Sequence, residues 1–294
     1  MRACRGMLMA ADILSHIREQ HRSFSKGQKL IANYILEAYD KAAFMTACKL
    51  GKTVGVSEST VVRFAVELGY DGYPSMQKTL QELVRTRLTS VQRIEVTNDR
   101  IGNQDVVSTV LQADIDTIRK TNDALDRAEM QRSVDAIIQA RHIYIVGVRS
   151  SAAIASFLNF YLRNLFDNVI LVAATSTSEM FEQMLRVGQG DVVIGISLPR
   201  YSGRTVKTLQ FAHDSGAQTI AITDSREAPA GKIADCVLTA KSDMVSVVDS
   251  LVAPMSVVNA LIVSISRRQE RQVSDTYKTL ERLWDEYEVY ERVE

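Results

Sequence analysis

The sequence predicts a two-domain protein: an all-α domain of helix-turn-helix type, then a three-layer α/β domain with a parallel sheet flanked by helices. Three observations carry this. Residues 46–69, TACKLGKTVGVSESTVVRFAVELG, hold two short helical patterns on either side of a tight break at Gly55-Val56-Ser57. Residues 89–104 lose their apolar period and collect Thr, Asn, Asp, Gly and Gln. From His142 onward, short β-rich runs alternate with helical segments. A chain of 294 residues is also long for one domain. The expected division is 1–88, a linker over 89–104, and 105–294.

The N-terminal elements follow from periodicity and caps. Asp12–Gln20 places Ile13, Leu14 and Ile17 on one face. Ser25 and Gln28 form a capping box that opens a second helix, with an apolar stripe of Leu30, Ile31, Tyr34, Ile35 and Ala38. A third helix runs from about Thr46 to Val54, where Gly55 can take the left-handed conformation that ends it. Ser57 caps a fourth, which stops at Gly69. Asp71-Gly72-Tyr73-Pro74 reads as a turn, and Ser75 as the cap of a fifth helix to about Thr86.

In the second part, long helices are expected over 105–125, where Val107, Val110, Leu111, Asp114, Ile115 and Ile118 recur at helical spacing, and over 128–140. Strands are expected at His142–Val146, Val169–Val172, Val192–Ile196, Thr219–Thr223 and Cys236–Leu238, with helices near 151–166, 177–187, 204–215 and 228–234. Such alternation implies right-handed crossovers and a ligand site at the carboxyl ends of the strands. Asp249–Arg267 and Ser274–Tyr290 read as closing helices.

Composition narrows the function classes. Hydrophobic residues at 46% and charged residues at 24% are ordinary for a globular protein. No apolar run reaches the roughly 18 residues of a membrane span, and the apolar stretch in MRACRGMLMAADIL is too short for a secretory signal, so none is expected. Met1, Met7 and Met9 are all candidate starts. Cys4, Cys48 and Cys236 are too far apart for metal-type spacing and read as thiols of a reducing cytoplasm. The four histidines are scattered as well, so no metal and no cofactor is expected. Net charge is zero, but residues 1–90 carry 13 Lys and Arg against 8 Asp and Glu, and the remainder 22 against 27. The basic excess lies with the helix-turn-helix segment, as phosphate contacts require.

Within that segment Val61, Phe64, Ala65 and Leu68 mark an inner face. Ser57, Glu58, Ser59, Thr60 and Arg63 lie at the start of the second helix, where side chains reach base edges. Arginine can grip guanine O6 and N7 together. Lys49 and Lys52 on the preceding helix are placed to hold phosphates of double-stranded operator DNA. The same pattern also fits a plain helical hairpin in a bundle, and Glu58 and Glu67 add negative charge near the surface.

Two loops have the composition of an anion cradle. After the first strand comes Gly147-Val148-Arg149-Ser150-Ser151, and after the third comes Ser197-Leu198-Pro199-Arg200-Tyr201-Ser202-Gly203-Arg204-Thr205, each leading into a helix. Hydroxyls and N–H groups at helix starts bind phosphate, and glycine allows close approach. Serine also caps helices, so either loop alone is weak. If the two strands are neighbours, their loops converge.

These residues carry a resemblance. GVSESTVVRFAVELGYDGYPSMQ resembles the DNA-binding domain of RpiR-type bacterial regulators. IYIVGVRSSA, GDVVIGISLPRYSGRTVKTL, GAQTIAITDS and IADCVL resemble the sugar isomerase (SIS) domain, the phosphosugar-binding module of that family. The resemblance covers roughly residues 10–90 and 125–270. It implies a transcriptional regulator, not an enzyme, whose operator affinity is set by a phosphorylated sugar or derivative. It implies self-association as a dimer or tetramer and no membrane partner. By position, Ser150, Ser151, Ser197, Ser202 and Thr205 hold the phosphate, and Glu179 and Asp249-Ser250 lie near the pocket rim. The chain departs from the pattern twice: Arg149 replaces a second glycine, and Pro199-Arg200-Tyr201 lengthens the second loop. Both departures bring an arginine to the anion site.

The rival expectation is a phosphosugar isomerase on the same fold. That chemistry needs a general base, usually Glu or His, and neither phosphate loop contains one. Glu179 is the nearest candidate, and His142 belongs at the far end of its strand.

Overall fold

The structure, a computed structural model, describes residues 13–87, 89–101, 105–174, 176–242, 244–245 and 248–291. Cys4 and the three candidate starts lie outside the described residues. The chain divides into two compact units between Gln104 and Asp105.

The first unit is helical: α1 (Ile13–Gln20), α2 (Lys26–Ala42), α3 (Ala47–Val54), α4 (Glu58–Glu67), α5 (Tyr73–Arg87) and α6 (Ser90–Ile101). The capping box forms as expected: the Gln28 amide donates to Ser25 Oγ at 3.4 Å, and the Ser25 amide donates to Gln28 Oε1 at 2.8 Å. Ile31, Ala32 and Ile35 carry the buried face of α2, whereas Leu30 is exposed. The core gathers Ile17, Ile31, Leu50, Phe64, Met76 and Leu80, and Phe24 meets Phe64 edge-on with ring centroids 5.1 Å apart.

Two expectations are corrected here. Ser75 does not cap α5, which begins at Tyr73. Proline is tolerated in a helix's first turn because its missing N–H has no intrahelical partner there, so Pro74 lies within the first turn instead of delaying the helix. Tyr73 Oη donates to Met45 O at 2.7 Å, Gln77 Nε2 to the same oxygen at 2.8 Å, and Gln81 Nε2 to Ala43 O at 3.1 Å. Side chains of α5 thus satisfy carbonyls after the end of α2, where no intrahelical donor is available. The segment 89–104, expected as a linker, holds a helix: α6 occupies 90–101. It starts on a second capping box, in which the Gln92 amide donates to Thr89 Oγ1 at 3.3 Å and the Thr89 amide donates to Gln92 Oε1 at 3.0 Å. Its buried residues include Arg93 and Thr97, while Val91 and Ile94 are exposed. Among the described side chains of α6 the buried ones are polar, which leaves no apolar stripe to read.

The second unit opens with α7 (Val106–Ala124) and α8 (Arg127–Gln139). It continues β1 (Ile143–Gly147), α9 (Ser151–Arg163), β2 (Val169–Val172), α10 (Thr177–Gln183), β3 (Val192–Ile196), α11 (Gly203–Asp214), β4 (Gln218–Thr223) and β5 (Cys236–Thr239). A short hairpin of β6 (Met244–Val245) and β7 (Val248–Asp249) precedes α12 (Val252–Arg268) and α13 (Glu270–Glu286). The main sheet has order β2-β1-β3-β4-β5, parallel throughout. Strand residues alternate between two cores. Ile143, Ile145, Ile194 and Ile222 pack with α8, α9 and α12. Tyr144, Val146, Val193 and Ala221 pack with α10 and α11. This is the expected three-layer α/β arrangement. Residues 228–234 form successive turns in place of the expected helix, in keeping with Pro229 and Gly231 in that stretch.

The amino-terminal edge of the sheet is fastened by Asp191. Its buried carboxylate accepts from Arg141 Nε (2.9 Å) and Nη2 (2.7 Å), His142 Nδ1 (3.0 Å) and the Gly188 amide (2.9 Å). Burial opposes ionisation, but these donors outweigh it and hold the carboxyl below the usual carboxylate range.

α7 is inverted relative to an ordinary surface helix. Its buried residues are Thr117 and Thr121, whereas Val107, Leu111, Ile115 and Ile118 are exposed.

Candidate ligand pocket and nucleic-acid interface

In the first unit the turn between α3 and α4 is built from backbone constraints. Gly55 takes φ 76°, and its amide donates to Gly51 O. A Cβ on Gly51 would stand 2.8 Å from the Val56 carbonyl oxygen, so only glycine lets the turn close on α3. Ser57 caps α4, with its Oγ accepting from the Thr60 amide at 3.3 Å. Val61, Phe64 and Ala65 are buried, as the inner face requires. Lys49, Lys52, Ser57, Glu58, Ser59 and Arg63 are exposed, and Thr60 is half-buried. Ser57 Oγ lies 2.9 Å from Ser59 Oγ and 2.8 Å from Thr60 Oγ1, which makes a hydroxyl cluster at the helix start. Arg63 Nε donates to Ser59 O at 3.3 Å. The Glu67 carboxylate accepts from the side chain of Gln28, which engages the negative charge that spoke against a nucleic-acid face.

In the second unit β1 has β2 on one side and β3 on the other, so the chain reverses its direction of travel across the sheet at β1. Crevices at such a switch point, outside the carboxyl ends of the strands, are where α/β sheets bind ligands. A cavity of about 880 Å³ opens there. Its walls come from the loops after β1, β2 and β3, because β1 and β3 are paired neighbours. A Cβ on Gly147 would stand 2.7 Å from Ser151 O and 2.9 Å from Ala155 Cβ, so glycine brings α9 close against the strand end.

Of the expected ligand residues, Gly147, Arg149, Arg200, Ser202 and Gly203 line the cavity together with Tyr201 and Arg204. Arg149 and Arg200 hold positive φ, 57° and 64°. Arg149 thus occupies a conformation that glycine takes at least cost. Ser202 caps α11, accepting from the Arg204 amide at 3.3 Å. Ser150 and Ser151 are not among the lining residues: Ser150 is exposed and Ser151 buried. Ser197 and Thr205 are buried at the two ends of the second loop, and their hydroxyls have no hydrogen-bond partner among the described residues. Glu179 and Ser250 do not line the cavity; Ser250 Oγ donates to Asp114 of α7 at 2.5 Å. Three arginines and no carboxylate or imidazole stand among the described lining residues. The wall Leu171–Ala174 escaped the sequence reading, although the adjacency of β2 to β1 would have implied it.

Two family models match: a helix-turn-helix domain of the rpiR family over residues 11–86 and the SIS domain over 136–264. The sugar isomerase domain of an RpiR transcription factor from Sphaerobacter thermophilus is 30% identical, with a TM-score of 0.58 over 61% of this chain and 99% of that one. The chain belongs to the RpiR family. It is a transcriptional regulator of that family with a SIS domain, not an enzyme. HexR, an HTH-type transcriptional regulator of Escherichia coli, is 26% identical over 91% of this chain and 92% of its own length. An uncharacterised HTH-type transcriptional regulator of Haemophilus influenzae is 27% identical over 79% and 81%. NanR of Vibrio vulnificus, solved in complex with ManNAc-6P, shares the fold at 21% identity and a TM-score of 0.59 over 94% and 98%. Among the described residues of this RpiR-family chain, no helix is long and apolar enough to cross a membrane.

Proposed function

We propose that a phosphorylated sugar or sugar derivative, bound in the cavity at the ends of β1 and β3, sets the affinity of the α3–α4 unit for operator DNA. The observation that carries this reading is the convergence of Arg149, Arg200, Arg204, Ser202 and Gly203 on one cavity with no acidic group in its described lining. Arginines and helix-start N–H groups are the donors that phosphate oxygens take. Ser197 and Thr205 supply buried hydroxyls beside the same loop, and Ser150 and Ser151 begin the helix after the other. The complex of NanR with ManNAc-6P lends weight to a phosphosugar guest.

Arg149 and Arg200 further favour a guest more anionic than a simple phosphosugar, or a bidentate clamp on its phosphate. On the DNA side, Arg63, Ser59, Thr60, Ser57 and Glu58 face base edges, and Lys49 and Lys52 hold phosphates. Self-association as a dimer or tetramer belongs to the same proposal, and the exposed apolar row on α7 supports it. The setting is cytoplasmic. A thermal-shift screen of phosphosugars tests the pocket: a specific guest raises the midpoint, and more so as its concentration exceeds its dissociation constant. A screen in which no sugar phosphate, phosphorylated sugar acid or inorganic phosphate shifts it overturns the reading.

A further inference from the structure

The cavity is joined by consecutive hydrogen bonds to the helix that follows the boundary between the two units. Tyr201 lines the cavity, and its hydroxyl donates to Asp224 Oδ1 at 2.9 Å. Asp224 is buried at the end of β4. Its backbone carbonyl accepts from Lys241 Nζ at 3.1 Å. The Lys241 amide donates to Thr121 Oγ1 at 2.9 Å, and Thr121 is one of the two buried residues of α7. Two more contacts fasten α7 to the same region: Thr239 Oγ1 donates to Ala124 O at 3.4 Å, and Ser250 Oγ to Asp114 Oδ1 at 2.5 Å. On the polar inner face of α7, this run accounts for Thr121, while Thr117 Oγ1 donates to Ala113 O of the same helix at 2.7 Å.

We infer that Tyr201, Asp224, Lys241 and Thr121 form the mechanical connection between the ligand pocket and α7, with Asp224 and Thr121 acting as positioning residues. Tyr201 sits between Arg200 and Ser202, which the proposed function assigns to the guest, and the inference rests on that reading for its biological use. An anion engaging those neighbours acts on a loop whose backbone is already held at φ 64° by residue 200. Movement of that loop alters the Tyr201–Asp224 contact. The contact lies two hydrogen bonds from α7, whose N-cap Asp105 is the first residue beyond the unit boundary. The output of the pocket is thereby delivered to the carboxyl-terminal part of α7, the helix whose other end begins at the unit boundary. Coupling between two sites is reciprocal, so a change at Thr121 must also be felt at the pocket loop.

The test is amide hydrogen exchange of the full chain in wild type, Tyr201→Phe, Thr121→Val and Ser156→Ala. Ser156 lines the same cavity but lies outside the run. Tyr201→Phe should speed exchange over residues 117–125 by roughly two- to tenfold, the effect of one lost hydrogen bond. Thr121→Val should do the same to residues 198–204, and Ser156→Ala should leave 117–125 unchanged. Wild-type rates over 117–125 in Tyr201→Phe, or over 198–204 in Thr121→Val, overturn the inference. If Tyr201→Phe fails to fold, Thr121→Val decides alone. Inorganic phosphate serves as the ligand probe. It should raise the midpoint of wild type and Thr121→Val alike, but slow exchange over 117–125 only in wild type. If it raises neither, the pocket reading suffers, and the variant exchange rates still decide the connection.

Discussion

Arg149 and Arg200 stand in the loops of two adjacent parallel strands, line one cavity, and both hold left-handed backbone, at φ 57° and 64°. For a non-glycine residue that conformation costs on the order of 1 kcal/mol or more. It is retained where the side chain is needed. Arg149→Gly should therefore leave the thermal midpoint unchanged or slightly raised, while phosphate or phosphosugar affinity falls about tenfold. Titration calorimetry and thermal unfolding of the same samples check both halves.

Arg200→Ala should weaken binding of the true effector by a similar factor, roughly tenfold, with no change in the fold. A calorimetric titration in which the variant binds the effector like wild type removes the arginine clamp from the account.

The two functions should separate by mutation. Arg63→Ala should weaken DNA binding, costing about 1–3 kcal/mol at a guanine contact, and leave ligand affinity intact. Ser202→Ala should keep DNA affinity and blunt the ligand response. Fluorescence anisotropy with labelled DNA, alongside calorimetry, reads both; loss of both activities in both variants contradicts a modular switch.

Acid should loosen the sheet through Asp191. Its folded pKa lies below the usual carboxylate value, so its contribution is complete above the unfolded pKa and is lost as pH falls through the folded one. Asp191→Asn should cost about 1–3 kcal/mol near pH 7 and flatten the acid limb of a stability profile obtained from urea unfolding. An unchanged acid limb argues against this role.

Much of this was legible in the residues. The caps Ser25 and Ser57, the αL glycine Gly55 and the five strands are signalled by local chemistry that tertiary packing does not override. The convergence of the two loops was legible only on the condition that their strands are neighbours, and the sheet order β2-β1-β3 meets that condition. Other features were hidden for identifiable reasons. α6 buries Arg93 and Thr97 and exposes Val91 and Ile94, so apolar periodicity gives no signal, although Thr89 and Gln92 spell a cap. Ser75 looked like a cap, but the helix has already begun at Tyr73, with Pro74 in its first turn. α7 showed a helical stripe, yet the stripe is exposed and the threonines are inside. The Tyr201–Asp224 bond joins residues 23 apart on different elements, and no local pattern announces it.

The central claim is that ligand occupancy at the β1–β3 cavity sets DNA affinity. Its most direct test titrates the full chain against DNA from upstream of its own gene at two salt concentrations, with and without the phosphosugar that most raises its thermal midpoint. The account predicts affinity that falls steeply with salt, as phosphate contacts demand, and that shifts about five- to 150-fold when the sugar is bound. Salt-insensitive binding, or an affinity identical with and without the bound sugar, would contradict it.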